Sequence, residues 1–436
     1  MKDYIFSFFK LKENQTTFKS EIFAGIIGFF TVVYIVVVNS LILAEAGIPL
    51  EAAIIATILT SVVGCFLMGF YGNVPILLVP GMGINALFSY TIVHSMALTW
   101  QEALAVVFIS GILFMIVAFT KLAKIVSDSI PVSLKESITV GLGLFLMLIG
   151  LEKGGLVVRG TNSIIALGSF SDLHVLATVL TFLISIILFL RNVKGNFLIT
   201  IVVGTLIAAS FGIIDVNSGK SQSLHLQEYK NVFGHMSFDK LISFPFWIAV
   251  FSLTMVLIFE NIGLVNNHVQ SIDRPDRFTK AFRANSISVF LSSFFGTSPT
   301  VATVESSASM TAGGRTGLTA VTTGLLFLCS AFFIPVIKLI PDSAIAPILI
   351  IIGGLMLQNI RNLDLRDLSE SFPSFFIIAM IPFTYSIADG MAIGFILYPI
   401  LKIALGKAKD VSLPLYFISS LFLINYRGIY GTVIFR

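Results

Sequence analysis

Apolar stretches of roughly twenty residues, each closed by a short polar or charged turn, recur from one end of the chain to the other. That is the length an α-helix needs to cross the hydrocarbon of a bilayer. The pattern predicts spans at residues 22–44, 50–71, 75–95, 100–120, 133–152, 172–190 and 194–213. A polar interval at 214–244 follows, and a second set lies at 245–266, 280–296, 297–313, 318–338, 343–361, 372–388 and 389–405. A last apolar run, 412–425, is short and is expected in the membrane interface. The third member of each set, 75–95 and 297–313, is interrupted by Pro and Gly. A break at membrane depth is tolerated only where the freed backbone lines a cavity.

The two sets echo each other. Gly111, Phe114, Ala118 and Phe119 are matched 213 positions on by Gly324, Phe327, Ala331 and Phe332. Ile130, Pro131, Ser133 and Gly143 are matched 210 positions on by Ile340, Pro341, Ser343 and Gly353. A repeat with an odd number of spans must be inverted in its second copy. The expected organisation is an all-α polytopic membrane fold of 14 segments in two inverted seven-segment repeats, with short extended breaks in segments 3 and 10. It comprises a cytoplasmic N-terminus (1–21), a first repeat (22–213), an external loop (214–244), a second repeat (245–405) and a C-terminal segment (406–436).

Composition agrees: 56% of the 436 residues are hydrophobic and 11% charged, against about 25% charged in a soluble domain. In a polytopic membrane protein no nucleic-acid partner is expected, and the net charge of +4 says little on that point; the distribution of charge is more informative. With the N-terminus inside, 21 of the 27 Lys and Arg fall on the cytoplasmic side, leaving Lys153, Arg159, Lys220, Lys230, Lys240 and Lys338 outside. Met1 to Ser20 is polar and basic, so no cleavable signal peptide is expected, and the destination is the cell membrane. Cys65 and Cys329 form no CxxC or Cys/His spacing, and the five histidines show no paired spacing, so neither disulfide nor metal site is expected. A lone His at an interface position reads as a polar cap. No HExxH, GxSxG or paired Asp/His set marks an enzyme, and no cofactor is implied. Gly219-Lys220-Ser221 lacks the glycine of a phosphate loop, since Ile214 stands in its place. No filter element marks a channel.

Three intramembrane polar clusters carry the candidate chemistry. Val79-Pro-Gly-Met-Gly-Ile-Asn-Ala86 is a Pro/Gly break followed by a short helix. The half-helix start around Gly83 exposes unpaired N–H groups, and Asn85 reads equally as a helix cap or as an amide contact for substrate. Glu260, in Phe259-Glu260-Asn261-Ile262-Gly263, lies about 15 residues into an apolar run. A carboxylate that deep is costly to keep ionised, which suits it to carrying a proton. Glu305 sits within GTSPTVATVESSASMTAGGRTGLTA, residues 296–320, beside Thr300, Thr303 and Ser306. Two carboxylates and an amide match the edge of a flat heterocycle; a structural Glu in a re-entrant loop is the alternative. Asn39 and Ser40 of the first span read as helix-packing residues.

At these residues the chain resembles the nucleobase/ascorbate superfamily, and within it the AzgA-like branch of hypoxanthine, guanine and adenine permeases. The resemblance rests on Pro80-Gly-Met-Gly-Ile-Asn-Ala86, on Ile130-Pro-Val-Ser-Leu-Lys135 with Gly141-Leu-Gly-Leu-Phe145 and Ile149-Gly-Leu151, and on Glu305-Ser306 leading into Gly313-Gly-Arg-Thr-Gly-Leu-Thr-Ala320. It runs from about Glu21 to about Lys409. It implies a core domain from segments 1 to 4 and 8 to 11, a gate domain from the rest, and proton symport of a purine base by rocking of one against the other. Asn85, Glu260 and Glu305 match the family's base-binding positions, and Gly83, Thr303 and Ser306 complete the expected pocket. Glu260 and Glu305 are the expected proton carriers. Uracil or xanthine carriage is the alternative substrate class; sulfate and other anions are disfavoured by two deep acidic groups. A homodimer through the gate domain is an analogy with relatives. The chain departs from the pattern in segment 8, where Leu257 and Glu260 stand at positions usually Asp, and in the first span, where Ser40 stands for the usual Pro.

Overall fold

The structure, a computed structural model, describes residues 6–120, 122, 129–161, 163, 165–214 and 226–430. Lys2, Lys121, Lys124, Lys220 and Arg436 of the charge count lie outside the described residues, as do 215–225 of the expected external loop with its Gly219-Lys220-Ser221 triplet. The chain is mostly helical. In order it forms α1 (Phe18–Glu45), α2 (Leu50–Gly72), strand β1 (Leu78–Pro80), α3 (Met82–Ala86, continuing as a π-helix over Leu87–Ser95), α4 (Trp100–Phe119), α5 (Val132–Lys153), α6 (Leu173–Leu190) and α7 (Asn196–Ser210). Then come α8 (Phe244–Ser271), α9 (Phe278–Phe295), strand β2 (Thr300–Ala302), α10 (Ser306–Thr311), α11 (Gly317–Ser330), α12 (Asp342–Met356), α13 (Leu368–Thr384), α14 (Ile387–Ala404) and α15 (Leu413–Tyr430).

Among the described residues nine helices are long and apolar enough to cross a bilayer, and three shorter apolar helices, Asn196–Ser210, Leu368–Thr384 and Leu413–Ile424, accompany them. The protein is a multi-pass membrane protein. The expected span at 280–296 is helical but is not one of the nine, because α9 opens on Lys280 and Arg283 and buries Asn285, Ser286, Ser288, Ser292 and Ser293. Ser288 and Ser292 bond Thr300 of the second break, and Asn285 bonds Asn261 of α8. The span expected to stop at 266 runs on to Ser271. In this extension Asn267 lines a cavity and His268 is buried. The expected loop at 214–244 contains a short helix, Leu226–Lys230, and Val232 is fully buried behind it. Helix α15 packs on α14 and α8, with the Phe422 ring 5.4 Å from Phe251 and 5.8 Å from Phe395.

The helices sort into two bodies. Helices α1, α2, α4, α8, α9 and α11 pack mainly on one another and enclose the two breaks; α5, α6, α7, α12, α13 and α14 pack mainly on one another. Small residues permit the closest approaches. Gly143 of α5 and Gly353 of α12 face each other so tightly that a Cβ on Gly143 would stand 2.7 Å from the Gly353 carbonyl oxygen.

Candidate functional site

The two breaks are built against each other. β1 and β2 pair antiparallel, with Leu78 opposite Ala302, Val79 opposite Val301 and Pro80 opposite Thr300. The Gly81 N–H donates to the Pro299 carbonyl at 3.3 Å and so extends the ladder by one bond. Backbone that would be orphaned in hydrocarbon is thus satisfied by the other break. Buried side chains complete the work. Asn39 donates from Nδ2 to Thr57 Oγ1 (2.8 Å) and Thr297 Oγ1 (3.1 Å), and its Oδ1 accepts from Ser298 Oγ (2.9 Å). Ser40 bonds back to the Val36 carbonyl and reaches Thr57, so both residues pack and brace, as expected of them. Asn261 holds β2 through Oδ1, which accepts from the Ala302 N–H at 3.0 Å and from Asn285.

A cavity of about 430 Å³ lies where the breaks meet the second body of helices. That is within the roughly 300–1,000 Å³ usual for small-molecule sites. One wall comes from Tyr34, Gly81 to Gly83, Glu260, Asn267 and Val301 to Glu305; the facing wall comes from Glu136 and Thr139 of α5 and from Ile352, Met356, Asn359 and Arg361 of α12 and its extension. The cavity reaches toward the end of the molecule that carries Arg361 and Lys135. At the opposite end the two bodies are tied together. Lys153 of α5 pairs with Glu45 of α1 and with Asp342 of α12 (3.2 Å), and Tyr90 donates to Glu45 Oε2 at 2.8 Å.

Of the residues expected in the site, Gly83, Glu260, Thr303 and Glu305 line this one cavity. Glu305 Oε1 accepts a hydrogen bond from the Tyr34 hydroxyl at 2.7 Å. Glu260 Oε2 is buried with no hydrogen-bond partner among the described residues. A Cβ added to Gly83 would find Leu142 and Met356 at 3.6 Å, an ordinary contact, so the neighbouring protein does not require a glycine there. Asn85 and Ser306 stand behind the wall. Asn85 is fully buried, is not the cap of its helix (Gly81 is), and donates to the Asn39 carbonyl at 3.3 Å; its Oδ1 has no partner among the described residues. Ser306 Oγ accepts from the Leu77 N–H at 3.0 Å and meets Thr303 Oγ1 at 3.3 Å, joining one break to the other. Thr300 is likewise buried, at 2.6 Å from Ser288.

Sequence reasoning passed over Tyr34, Asn267 and His268. His268 is not an interface cap: it is 4% exposed and its Nε2 lies 2.8 Å from the Thr303 carbonyl oxygen. For Asn267 a signal was present, since it stands two helical turns on from Glu260 and continues that helical face. Among the described residues no group of three His, Cys, Asp or Glu side chains is placed to hold a metal ion. Chemically, the site offers carboxylate acceptors and backbone near a helix start, between apolar walls that include Phe259, Val301 and Ile352.

Comparison with known proteins gives this arrangement relatives. The chain is 49% identical over 385 residues to the nucleobase transporter PlAzg2 of Paenibacillus larvae, covering 87% of this chain and 76% of that one. It is 39% identical over 415 residues to the guanine/hypoxanthine permease PbuO of Bacillus subtilis, covering 92% and 96%. In fold it is similar to the transmembrane domain of the cyanobacterial bicarbonate transporter BicA, with a TM-score of 0.66 at 16% identity over 86% of this chain and 97% of that one. A sequence model of the Permease family (Xan_ur_permease) matches residues 19–423, so nearly all the elements that build the cavity fall within it, and the chain belongs to the Permease family.

Proposed function

We propose that the protein is a secondary active transporter that imports purine nucleobases, guanine and hypoxanthine foremost, together with protons. The observation that carries this reading is the presence of two deep carboxylates, Glu260 and Glu305, in one cavity between two bodies of helices, where two broken segments cross. A purine edge presents N–H donors in one plane with its acceptors. Carboxylates take the donors, and the short backbone approach at Gly83 and the Thr303 hydroxyl serve the rest of the ring. Asn85 and Ser306 act from behind, holding the breaks at the right separation. Glu260, with an oxygen left unpartnered, is the site of the coupled proton; its neutralisation lowers the cost of moving the loaded site through the apolar interior. The names of the relatives, a nucleobase transporter and a guanine/hypoxanthine permease, support the substrate class.

The first body of helices then acts as the core and the second as the gate, in a scheme of 14 segments and two inverted repeats with the N-terminus in the cytoplasm of a cell-membrane protein. Two observations support the inversion. The matched third segments pair with each other, and the matched Gly143 and Gly353 face each other, as residues near a two-fold axis do. With the Glu45–Lys153 end outside, the cavity is reached from the cytoplasm, an inward-facing form.

The deciding experiment is uptake of labelled hypoxanthine, guanine, adenine, xanthine and uracil in cells lacking their own nucleobase permeases, with and without a protonophore. Saturable purine uptake that the protonophore abolishes is expected. Absence of uptake of every base by protein that reaches the membrane overturns the substrate class, and protonophore-resistant accumulation overturns the proton.

A further inference from the structure

Resting on the nucleobase reading, we propose that Tyr34 is a positioning and specificity residue that fixes which oxygen of Glu305 the base meets and ties that carboxylate to the gate helix α7. Tyr34 lies midway along α1, is 1% exposed, and lines the cavity. Its hydroxyl donates to Glu305 Oε1 at 2.7 Å, a charge-assisted length when Glu305 is ionised. The flanking Val304 is 65% exposed and α10 begins one residue later, so Glu305 occupies a short turn whose other anchors are backbone and hydroxyl contacts at Thr303 and Ser306. The Thr303 side chain and the backbone of Glu305 also bond the carboxylate; among the described residues Tyr34 is the donor that reaches it from another helix.

With Tyr34, Thr303 and the local backbone each taking a lone-pair direction of the carboxylate, the direction left for a ligand is the one the phenol sets. The same ring packs edge-on against Phe197 at the start of α7, with centroids 5.0 Å apart, and Phe197 in turn stacks on Phe189 of α6 at 6.3 Å. One side chain thus touches the site carboxylate with its hydroxyl and the opposite body of helices with its ring. A hydrogen bond that constrains an acceptor pre-pays the orientation that a planar donor edge needs, and a bond of known direction discriminates between bases whose N–H groups sit differently.

The test is Tyr34→Phe, which keeps the ring on Phe197 and deletes the hydroxyl. In uptake assays run beside the wild type, the apparent affinity for the transported base is expected to fall about tenfold, the lower end of the worth of a hydrogen bond to a charged group. The maximal rate should stay within about twofold, and the order in which other bases compete should change. A merely structural tyrosine would lower the amount of folded protein or the maximal rate without moving the competition pattern. Wild-type affinity and wild-type competition order in Tyr34→Phe overturn the inference. If that variant does not reach the membrane, Phe197→Leu, which removes the backing ring and spares the hydroxyl, must lower affinity in the same direction; unchanged affinity there also overturns it. A wild type that carries no base at all removes the nucleobase reading itself and this inference with it, an outcome separate from a working wild type and an unaffected variant.

Discussion

At the scale of single residues the site separates two carboxylates by their surroundings. Glu305 is held by a donor from another helix, whereas Glu260 has a buried oxygen with none among the described residues. Removing the charge therefore has different consequences. Glu305→Gln replaces an acceptor by a donor where, in the proposed function, a base presents its N–H groups, and initial uptake is expected to fall by about a hundredfold or more, since a mismatched buried polar contact is worth that much. Glu260→Gln mimics a permanently protonated side chain. Exchange of internal for external base should persist and uphill accumulation should be lost; normal accumulation would rule out Glu260 as the proton site. Gly83→Ala offers a sharper check. Its Cβ would meet neighbours only at 3.6 Å, so folding should be normal, and a loss of base affinity would have to come from a ligand packed against that backbone. Glu260 and Glu305 were legible in the sequence because an ionisable residue deep in an apolar run needs a reason. Tyr34 was not, because a tyrosine in a greasy helix looks like any other aromatic residue until its partner across 271 positions is known.

At the scale of elements, the helices that flank the second break are closed by one cap from 294 residues away and one from close by. Glu21 of α1 is fully buried and accepts from the N–H groups of Arg315, Thr316 and Thr319 and from the Thr319 hydroxyl (2.6 Å), which closes the N-terminus of α11. Arg315 then turns its Nη1 back onto the carbonyls of Met310 (2.9 Å) and Gly314 (3.0 Å), closing the C-terminus of α10. The Gly313-Gly-Arg-Thr-Gly motif is in this light a connector whose backbone donors need one carboxylate. Glu21→Ala leaves several buried N–H groups without an acceptor and should destabilise the protein by about 1–3 kcal/mol, seen as a lowered melting temperature in detergent. Base affinity in the fraction that folds should be close to normal, because Glu21 does not line the cavity. The sequence showed where these helices begin and end to within a few residues. One boundary fell short at the end of α8, which runs on past 266 to Ser271 and turns Asn267 and His268 inward.

At the scale of the molecule, the two bodies meet across the cavity and at one closed end. Glu45 belongs to the first body, Lys153 and Asp342 to the second, and the Lys153 side chain is only 13% exposed. Under the proposed alternating-access scheme, that pairing holds the outer end shut only while the bodies keep this relation, and so weights the equilibrium between inward- and outward-facing forms. Lys153→Gln should shift the population outward and tighten the apparent affinity for base measured from outside by about threefold, the worth of a partly exposed ion pair. Slower efflux should accompany it. Equal affinity in the variant and the wild type would mean that the pair does not contribute to closure.

The sequence by itself determined the class of molecule, the spacing of its helices, the two interrupted segments and the two deep carboxylates, one in a break and one in α8. These follow from a one-dimensional rule: hydrocarbon tolerates neither bare backbone nor unexplained charge. Only the tertiary structure decided which of the marked residues share a wall. It brought Gly83, Glu260, Thr303 and Glu305 to one cavity, set Asn85 and Ser306 behind it as braces, and drew in Tyr34 and His268 from positions with no local mark. The physical reason is that a carboxylate announces its cost of burial in the sequence, while the direction a side chain faces depends on the packing of helices hundreds of residues apart.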